Sequence, residues 1–158
     1  MRTSFIVLLL FVLLSACSSS KPVTEPVSIE QGRYLTVIGG CNDCHTPEWV
    51  KKPFQIPDSQ WLTGDNLGFN GPWGTTYPTN LRKLASSMTE ESWVALTKNL
   101  KTRPPMPWWI LNAMTENDLK SMHRFLKSLG DAGEVEPAFL PPGEKPKTPV
   151  IEFFPKDL

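Results

Sequence analysis

The residues of this chain best suited to chemistry are two cysteines and a histidine that lie close together in the sequence. Residues 41–45 read C-N-D-C-H, and C-x-x-C-H is the signature of c-type haem attachment. One turn of backbone would present the thiols of Cys41 and Cys44 to the two haem vinyl groups, and the imidazole of His45 would reach the iron from the same side. The run therefore predicts one haem c, attached through both cysteines.

Three other chemistries use cysteines at this spacing, and each lacks support elsewhere in the sequence. A thioredoxin-like redox pair requires a strand–helix–strand context, and no such alternation surrounds residues 41–45. A zinc site would require a fourth ligand, and the only other histidine is His123. A disulfide between Cys41 and Cys44 would leave His45 without a role. The haem interpretation is therefore the strongest.

A methionine in a proline-rich loop is the best candidate for a second axial ligand. Met106 lies between the pair Pro104–Pro105 and Pro107, and prolines on both sides restrict the backbone and exclude a helix. A rigid loop can hold a thioether against iron, and thioether sulfur is a soft ligand that raises the potential of a haem. We therefore expect iron coordination by His45 and Met106.

The remaining methionines and the second histidine have simpler explanations. Met122 shares a helical stripe with other apolar residues, which favours a place in the core, and Met88 and Met114 each precede a predicted helix. His123 lies off that apolar stripe, so we expect it to be solvated. Two alternatives stay open: Met106 could fill a gap in an aromatic cluster, or His123 could be the sixth ligand.

The N-terminus has the pattern of an export signal that ends at a lipid anchor. A charged start precedes an apolar run over 5–14, which is too short for a membrane-spanning helix of about 20 residues and typical of a secretory signal. The sequence L-S-A-C at 14–17 resembles the lipobox of bacterial lipoproteins, in which cleavage precedes a cysteine that becomes lipidated. We therefore predict a signal peptide over 1–16, a lipidated Cys17 and a flexible tether over 17–27. A plain signal peptide with a leftover cysteine stays open.

The composition favours one folded domain and excludes some partners. The chain has 158 residues with 16 basic and 16 acidic side chains, and this balance argues against nucleic-acid binding, which needs a basic face. Apolar residues make up 40% of the chain and charged residues 20%, which is enough for a core and argues against general disorder. Most of the 16 prolines lie in the segments predicted as loops or tail.

Three helices and two long irregular segments are predicted. Capping patterns and apolar periodicity predict helices over 29–38, 90–101 and 116–129. Gly32 within the first helix indicates close approach of another helix. Residues 46–86 carry five prolines and four glycines, and a loop of that length needs a large group to fill its interior. The proline-rich tail, 131–158, is expected to lie along the domain without a helix.

The order of these elements over residues 28–130 resembles a class I cytochrome c domain: helix, C-x-x-C-H, loop, helix, methionine loop, helix. Shorter runs are similar to small single-haem cytochromes and to cytochrome subunits of periplasmic dehydrogenases, namely 32–35, 41–47, 74–81 and 104–107. The resemblance implies an all-α fold with three main helices and a haem-wrapping loop. It also implies that the first and last helices cross near Gly32.

The same resemblance implies roles for individual residues. His45 would be the proximal ligand and Met106 the distal ligand. Trp73, Tyr77 and Asn80 would lie near the haem and hydrogen-bond its propionates. The sequence offers no acid–base pair or nucleophile, so no catalytic residue is predicted.

The function that these features predict is electron transfer rather than catalysis. With both axial positions occupied, no small-molecule substrate is expected at the metal. Single electrons would pass between redox protein partners on the periplasmic side of a bacterial cell envelope, where the lipid on Cys17 would hold the protein at the inner or the outer membrane. Two alternatives stay open: a haem-based sensor or haem enzyme with a labile sixth ligand, and a structural or assembly lipoprotein.

Overall fold

Helices and a small sheet make up the part of the chain that the computed structural model describes, residues 25–154. The helices are α1 (Ile29–Ile38), α2 (Cys41–His45), α3 (Leu81–Ser86), α4 (Glu90–Lys98), α5 (Trp108–Ala113) and α6 (Glu116–Ser128), with 3-10 turns at Trp49–Lys51 and Asp58–Gln60. The strands are β1 (Gly68–Gly71), β2 (Gly74–Thr76) and β3 (Val150–Glu152). None of the helices in this range is long and apolar enough to cross a membrane. The predicted signal peptide over 1–16, Cys17 and most of the predicted tether lie outside the described residues.

The fold is mixed α/β, and the all-α prediction was wrong. β1 and β2 form an antiparallel hairpin in which Phe69 pairs with Thr76, and β3 joins β1 in parallel with Ile151 opposite Phe69. Each strand has only three or four residues, too few to show the two-residue periodicity that identifies a strand in a sequence. β3 comes from the C-terminal tail, and no local sequence pattern predicts that it pairs with β1.

The three helices predicted from the sequence are confirmed, with small shifts at two ends. α1 has the predicted bounds, and the side chain of its N-cap Ser28 accepts a backbone hydrogen bond from the first turn. α4 ends at Lys98 and α6 at Ser128, slightly before their predicted ends. Thr115 and Asp118 form a capping box at the start of α6. Local capping and apolar periodicity were therefore sufficient to place these helices.

Two helices of six residues, α3 and α5, lie where the sequence indicated irregular structure. α3 begins after Asn80, whose side chain accepts a hydrogen bond from the backbone N–H of Lys83. α5 begins directly after Pro107. A helix of this length shows fewer than two turns of apolar periodicity, and its stability comes from tertiary packing rather than from its own sequence.

Helices α1 and α6 cross at Gly32 and lie in close contact there. A Cβ atom on Gly32 would lie 2.0 Å from the backbone oxygen of Ser121 and 2.8 Å from the Cβ atom of Phe125. Any larger residue would place a methyl group inside the backbone of α6, so this approach requires glycine. The Ser121 hydroxyl also accepts a hydrogen bond from the backbone N–H of Ser28 at 3.2 Å. The close approach predicted at Gly32 is confirmed.

His123 belongs to the interior, and the prediction that it is solvated was wrong. The residue is 5% exposed, its Nε2 atom lies 3.1 Å from the backbone oxygen of Ala85, and its ring packs against that of Trp93. The cause is tertiary, because α3 and α4 both pack against α6 and cover a flank of the helix outside its apolar stripe. The hydrophobic core of the described residues includes Trp49, Trp61, Leu62, Leu119, Met122, Phe125 and Leu126.

Replacement of Gly32 by alanine is expected to destabilise the fold, because the new methyl group would overlap backbone atoms of Ser121. Overpacking of this kind costs about 1–3 kcal/mol, which should be measurable as a lower free energy of unfolding in urea. Tyr34→Ala is the control, since Tyr34 lies on the same helix and is 57% exposed. Equal stability of Gly32→Ala and the native chain would contradict this account of the crossing.

Candidate haem site

An apolar cavity of about 510 Å³ lies between the helices and the C-terminal tail. Its volume falls within the range of about 300–1,000 Å³ that is usual for small-molecule and cofactor sites. Side chains from α3, α4, α5 and β1 form an apolar wall, to which Phe69, Leu81, Leu84, Trp93, Leu96, Leu100 and Leu111 contribute. Cys44, His45 and Met106 line the same cavity. Tyr77 lines it as well, so the structure brings four of the seven predicted haem-binding residues together.

His45, the last residue of α2, has one ring nitrogen committed to a backbone group. Its Nδ1 atom lies 2.7 Å from the carbonyl oxygen of Thr79. Because a carbonyl can only accept, Nδ1 carries the hydrogen and donates it, which leaves the lone pair on Nε2. Burial lowers the pKa of His45, opposed by this hydrogen bond and by the negative charge of Glu136. The neutral imidazole with a free Nε2 is the form that binds a metal.

Cys41 and Cys44 lie one turn apart on the short helix α2, which begins after Gly40 in the left-handed conformation (φ +67°). Both are free thiols and half-buried. Burial, with smaller contributions from nearby negative charge, raises the pKa of Cys41 to about 12, and burial likewise raises the pKa of Cys44. A reactive redox cysteine instead has a lowered thiol pKa. In residues 25–154 no group of three or more His, Cys, Asp or Glu side chains could hold a metal ion.

Met106 lies in the loop between α4 and α5, and hydrogen bonds hold that loop against the hairpin. The Thr76 hydroxyl donates to the carbonyl oxygen of Pro104 at 2.9 Å. Within the loop, the backbone N–H of Trp108 donates to the carbonyl oxygen of Met106 at 2.9 Å. Met106 is half-buried and lines the cavity. The other methionines of the described residues do not line it: Met122 is buried in the core, and Met88 and Met114 pack against the core.

The three residues that the family resemblance places near the propionates have different positions in the structure. Tyr77 lines the cavity, and its hydroxyl lies 2.9 Å from that of Thr148 in the tail. Trp73 packs against Phe153 instead, and its indole N–H has no hydrogen-bond partner among the described residues. Asn80 is 1% exposed and binds the backbone of the tail. Only Tyr77 of the three lines the cavity.

The C-terminal tail forms one side of the cavity, a contribution that the sequence analysis missed. Residues 135–139 line the cavity, and the guanidinium of Arg103 lies 3.6 Å from the ring centroid of Phe139. The carboxylate of Glu136 accepts a hydrogen bond from the backbone N–H of Asn80 at 3.1 Å. Phe139 was an available signal because it is an aromatic residue in a polar tail. Nothing in the local sequence of Glu136 marks it as part of a site.

The side chains that line this cavity fit a haem c. A neutral imidazole and a thioether are suitable ligands for a haem iron. The Cys44 thiol in the lining is suitable for addition to a vinyl group, and Cys41, which does not line the cavity, lies one turn before it on the same helix. The apolar wall suits a flat, largely apolar macrocycle, and Tyr77, Thr79, Thr102 and Arg103 supply polar atoms at the margins. The chemistry of this donor set thus agrees with the C-x-x-C-H motif.

No protein-family model, curated protein or solved structure matches this chain. The resemblance to class I cytochromes c therefore stays a prediction based on short motifs and element order. The function has to be argued from the residues of the cavity.

Replacement of Asn80 by alanine is expected to loosen the tail from the cavity. The variant loses two hydrogen bonds to the backbone of residues 132 and 134 and the N-cap of α3, together about 2–4 kcal/mol of stability. Urea denaturation should show this loss, and limited proteolysis should cleave the tail faster. Asn99→Ala is the matched control, because its amide binds Ala95 at the surface. Equal proteolysis rates in both variants would show that Asn80 does not fasten the tail.

Proposed function

We propose that this protein is an electron carrier that binds one haem c. The supporting observation is that Cys44, His45 and Met106 line one apolar cavity, and that Cys41 begins the short helix on which Cys44 and His45 lie. An imidazole nitrogen and a thioether sulfur are the axial ligands of c-type cytochromes. Cys41 and Cys44 would provide the covalent attachment.

When bound, a haem c supplies a one-electron ferric–ferrous couple. His45 would hold the iron through Nε2, because its Nδ1 hydrogen is donated to Thr79. Met106 would hold it through its sulfur, from a loop that a hydrogen bond from Thr76 joins to the hairpin. With two protein side chains as ligands, no coordination position would remain for a substrate, which favours electron transfer over catalysis.

The walls of the cavity would set the environment of the iron. Apolar side chains of α3, α4 and α5 line the cavity together with residues 135–139 of the tail, and they would cover much of a bound haem. A dry, low-dielectric surrounding influences the reduction potential of a metal centre. Met106 raises that potential relative to a ligand set without a thioether.

The proposed carrier works outside the cytoplasm and exchanges electrons with a redox protein. The predicted export signal over 1–16 and the lipobox cysteine, Cys17, support attachment to a membrane on the periplasmic side. The equal numbers of basic and acidic side chains, 16 of each, give no support for a nucleic-acid partner. Failure of the reduced protein to pass electrons to any purified respiratory component would favour a structural or assembly role.

Mass spectrometry of the mature protein tests the cofactor and the anchor together. We expect a haem on the peptide that contains Cys41 and Cys44, and acyl chains on an N-terminal Cys17. Cys17→Ser should remove the acyl chains and keep the haem, whereas the double variant Cys41→Ala, Cys44→Ala should remove the haem and keep the acyl chains. A mature chain without haem, purified from cells that attach c-type haems, would contradict the proposed function.

Replacement of Met106 by alanine is expected to lower the reduction potential and to open the iron to carbon monoxide, because the thioether ligand is lost. The ferric native protein should show a far-red methionine–iron band that the variant lacks. Met114→Ala is the control, since Met114 packs against the core and does not line the cavity. An unchanged ferric spectrum in Met106→Ala would assign the sixth ligand to another residue. Carbon monoxide binding by the native ferrous protein would favour a sensor or enzyme with a labile sixth ligand.

A further inference from the structure

The peptide group between Thr79 and Asn80 is hydrogen-bonded at both of its ends. Its carbonyl oxygen accepts from Nδ1 of His45 at 2.7 Å, and its N–H donates to the carboxylate of Glu136 at 3.1 Å. The carbonyl of Thr79 and the N–H of Asn80 belong to one resonance-stabilised amide. A single peptide unit therefore connects the imidazole of His45 to a carboxylate of the tail.

Contacts other than the one with Glu136 also hold this peptide. The side-chain amide of Asn80 donates to the carbonyl oxygens of Ala132 at 2.8 Å and Glu134 at 3.1 Å, and its oxygen accepts from the N–H of Lys83 at 3.0 Å. Asn80 is 1% exposed, so these bonds are shielded from water. Glu136 thus adds a charge to a peptide that other contacts already hold in place.

Glu136 also lacks a basic partner within the part of the chain that the structure describes. The ion pairs found there involve other carboxylates: Glu48, Asp58, Glu90, Glu116 and Asp131. A half-buried carboxylate without a cation loses hydration that no ion pair replaces. Its carboxylate instead accepts from the N–H of Asn80, which directly follows the cavity-lining residue Thr79.

We propose that Glu136 lowers the reduction potential of the haem iron by polarising the Thr79–Asn80 peptide toward His45. The inference rests on the proposed function. A carboxylate that accepts from the N–H increases the negative charge on the carbonyl oxygen of the same amide, since hydrogen bonds in a chain strengthen one another. The carbonyl then accepts more strongly from Nδ1–H of His45, which raises the basicity of the imidazole. A more basic imidazole stabilises the ferric state relative to the ferrous state.

Glu136 is therefore a positioning residue that acts through His45 and need not touch the iron. The C-terminal tail, in this interpretation, sets the electronic environment of the haem as well as covering one side of it. The direct electrostatic effect of the carboxylate on the iron has the same sign, because a nearby negative charge also favours the more positive ferric state. The test must therefore separate the relayed effect from the direct one.

Redox titration of Glu136→Gln is the first measurement. Glutamine keeps the size of the side chain and an oxygen that can accept from Asn80, but it removes the charge. We expect the midpoint potential to rise by about 59 mV. For a one-electron couple, this rise corresponds to a tenfold change in the ferric-to-ferrous ratio at a fixed ambient potential. Glu134→Gln is the matched control, because it removes the same charge from an exposed side chain and leaves the Glu134 carbonyl in place.

Nuclear magnetic resonance of the ferrous, low-spin protein then tests the relay itself. We expect the His45 Nδ1–H resonance to move upfield in Glu136→Gln, as its hydrogen bond to Thr79 weakens, and to stay in place in Glu134→Gln. Glu136→Asp keeps the charge but moves it away by one methylene group, so it should give a smaller rise in potential than Gln. If Glu136→Gln fails to retain haem, the potential of Glu136→Asp still shows whether the carboxylate of Glu136 influences the iron.

Two results would overturn the inference while the proposed function stands. One is a haem-bound Glu136→Gln variant whose potential equals that of the native protein or of Glu134→Gln. The other is a raised potential with an unmoved Nδ1–H resonance, which would leave only the direct electrostatic effect. A native protein without attached haem would overturn the proposed function and this inference together.

Discussion

The side chain of Asn80 joins the parts of the molecule that surround the cavity. It is buried, caps α3, and donates two hydrogen bonds to the backbone of the tail. The adjoining peptide carries the carbonyl that accepts from His45. Loss of these partners would leave a buried amide without hydrogen bonds and would reduce the free energy of unfolding. The network therefore restricts α2, α3 and the tail to one relative arrangement. The position of the candidate iron ligand thus depends on contacts made far away in the chain.

A second constraint comes from the helices, which form a frame for the cavity. The close approach of α1 and α6 at Gly32 brings the helix before the C-x-x-C-H run against the last helix of the domain. α3 and α4 pack on another flank of α6, and their apolar side chains form one wall of the cavity. The proposed electron transfer would benefit from such a frame, because a carrier whose ligands stay in place in both oxidation states reorganises little.

How far the sequence predicts the fold depends on the range of the interactions involved. α1, α4 and α6 were predictable because caps such as Ser28 and Thr115, together with apolar periodicity, act within one or two turns. The sheet was not predictable, since its strands are very short and β3 pairs with β1 across most of the chain. The burial of His123 was missed for the same reason, because neighbouring helices cover it.

The sequence by itself determined the chemistry available to this protein: two thiols and an imidazole within one turn, and a methionine whose neighbouring prolines exclude a helix. These are properties of residue type and local backbone. Only the tertiary structure decided that Tyr77 lines the cavity while Trp73 and Asn80 do not, and that Glu136 of the tail binds the peptide behind His45. Those outcomes depend on hydrogen bonds and packing between segments far apart in the chain, which no local pattern encodes.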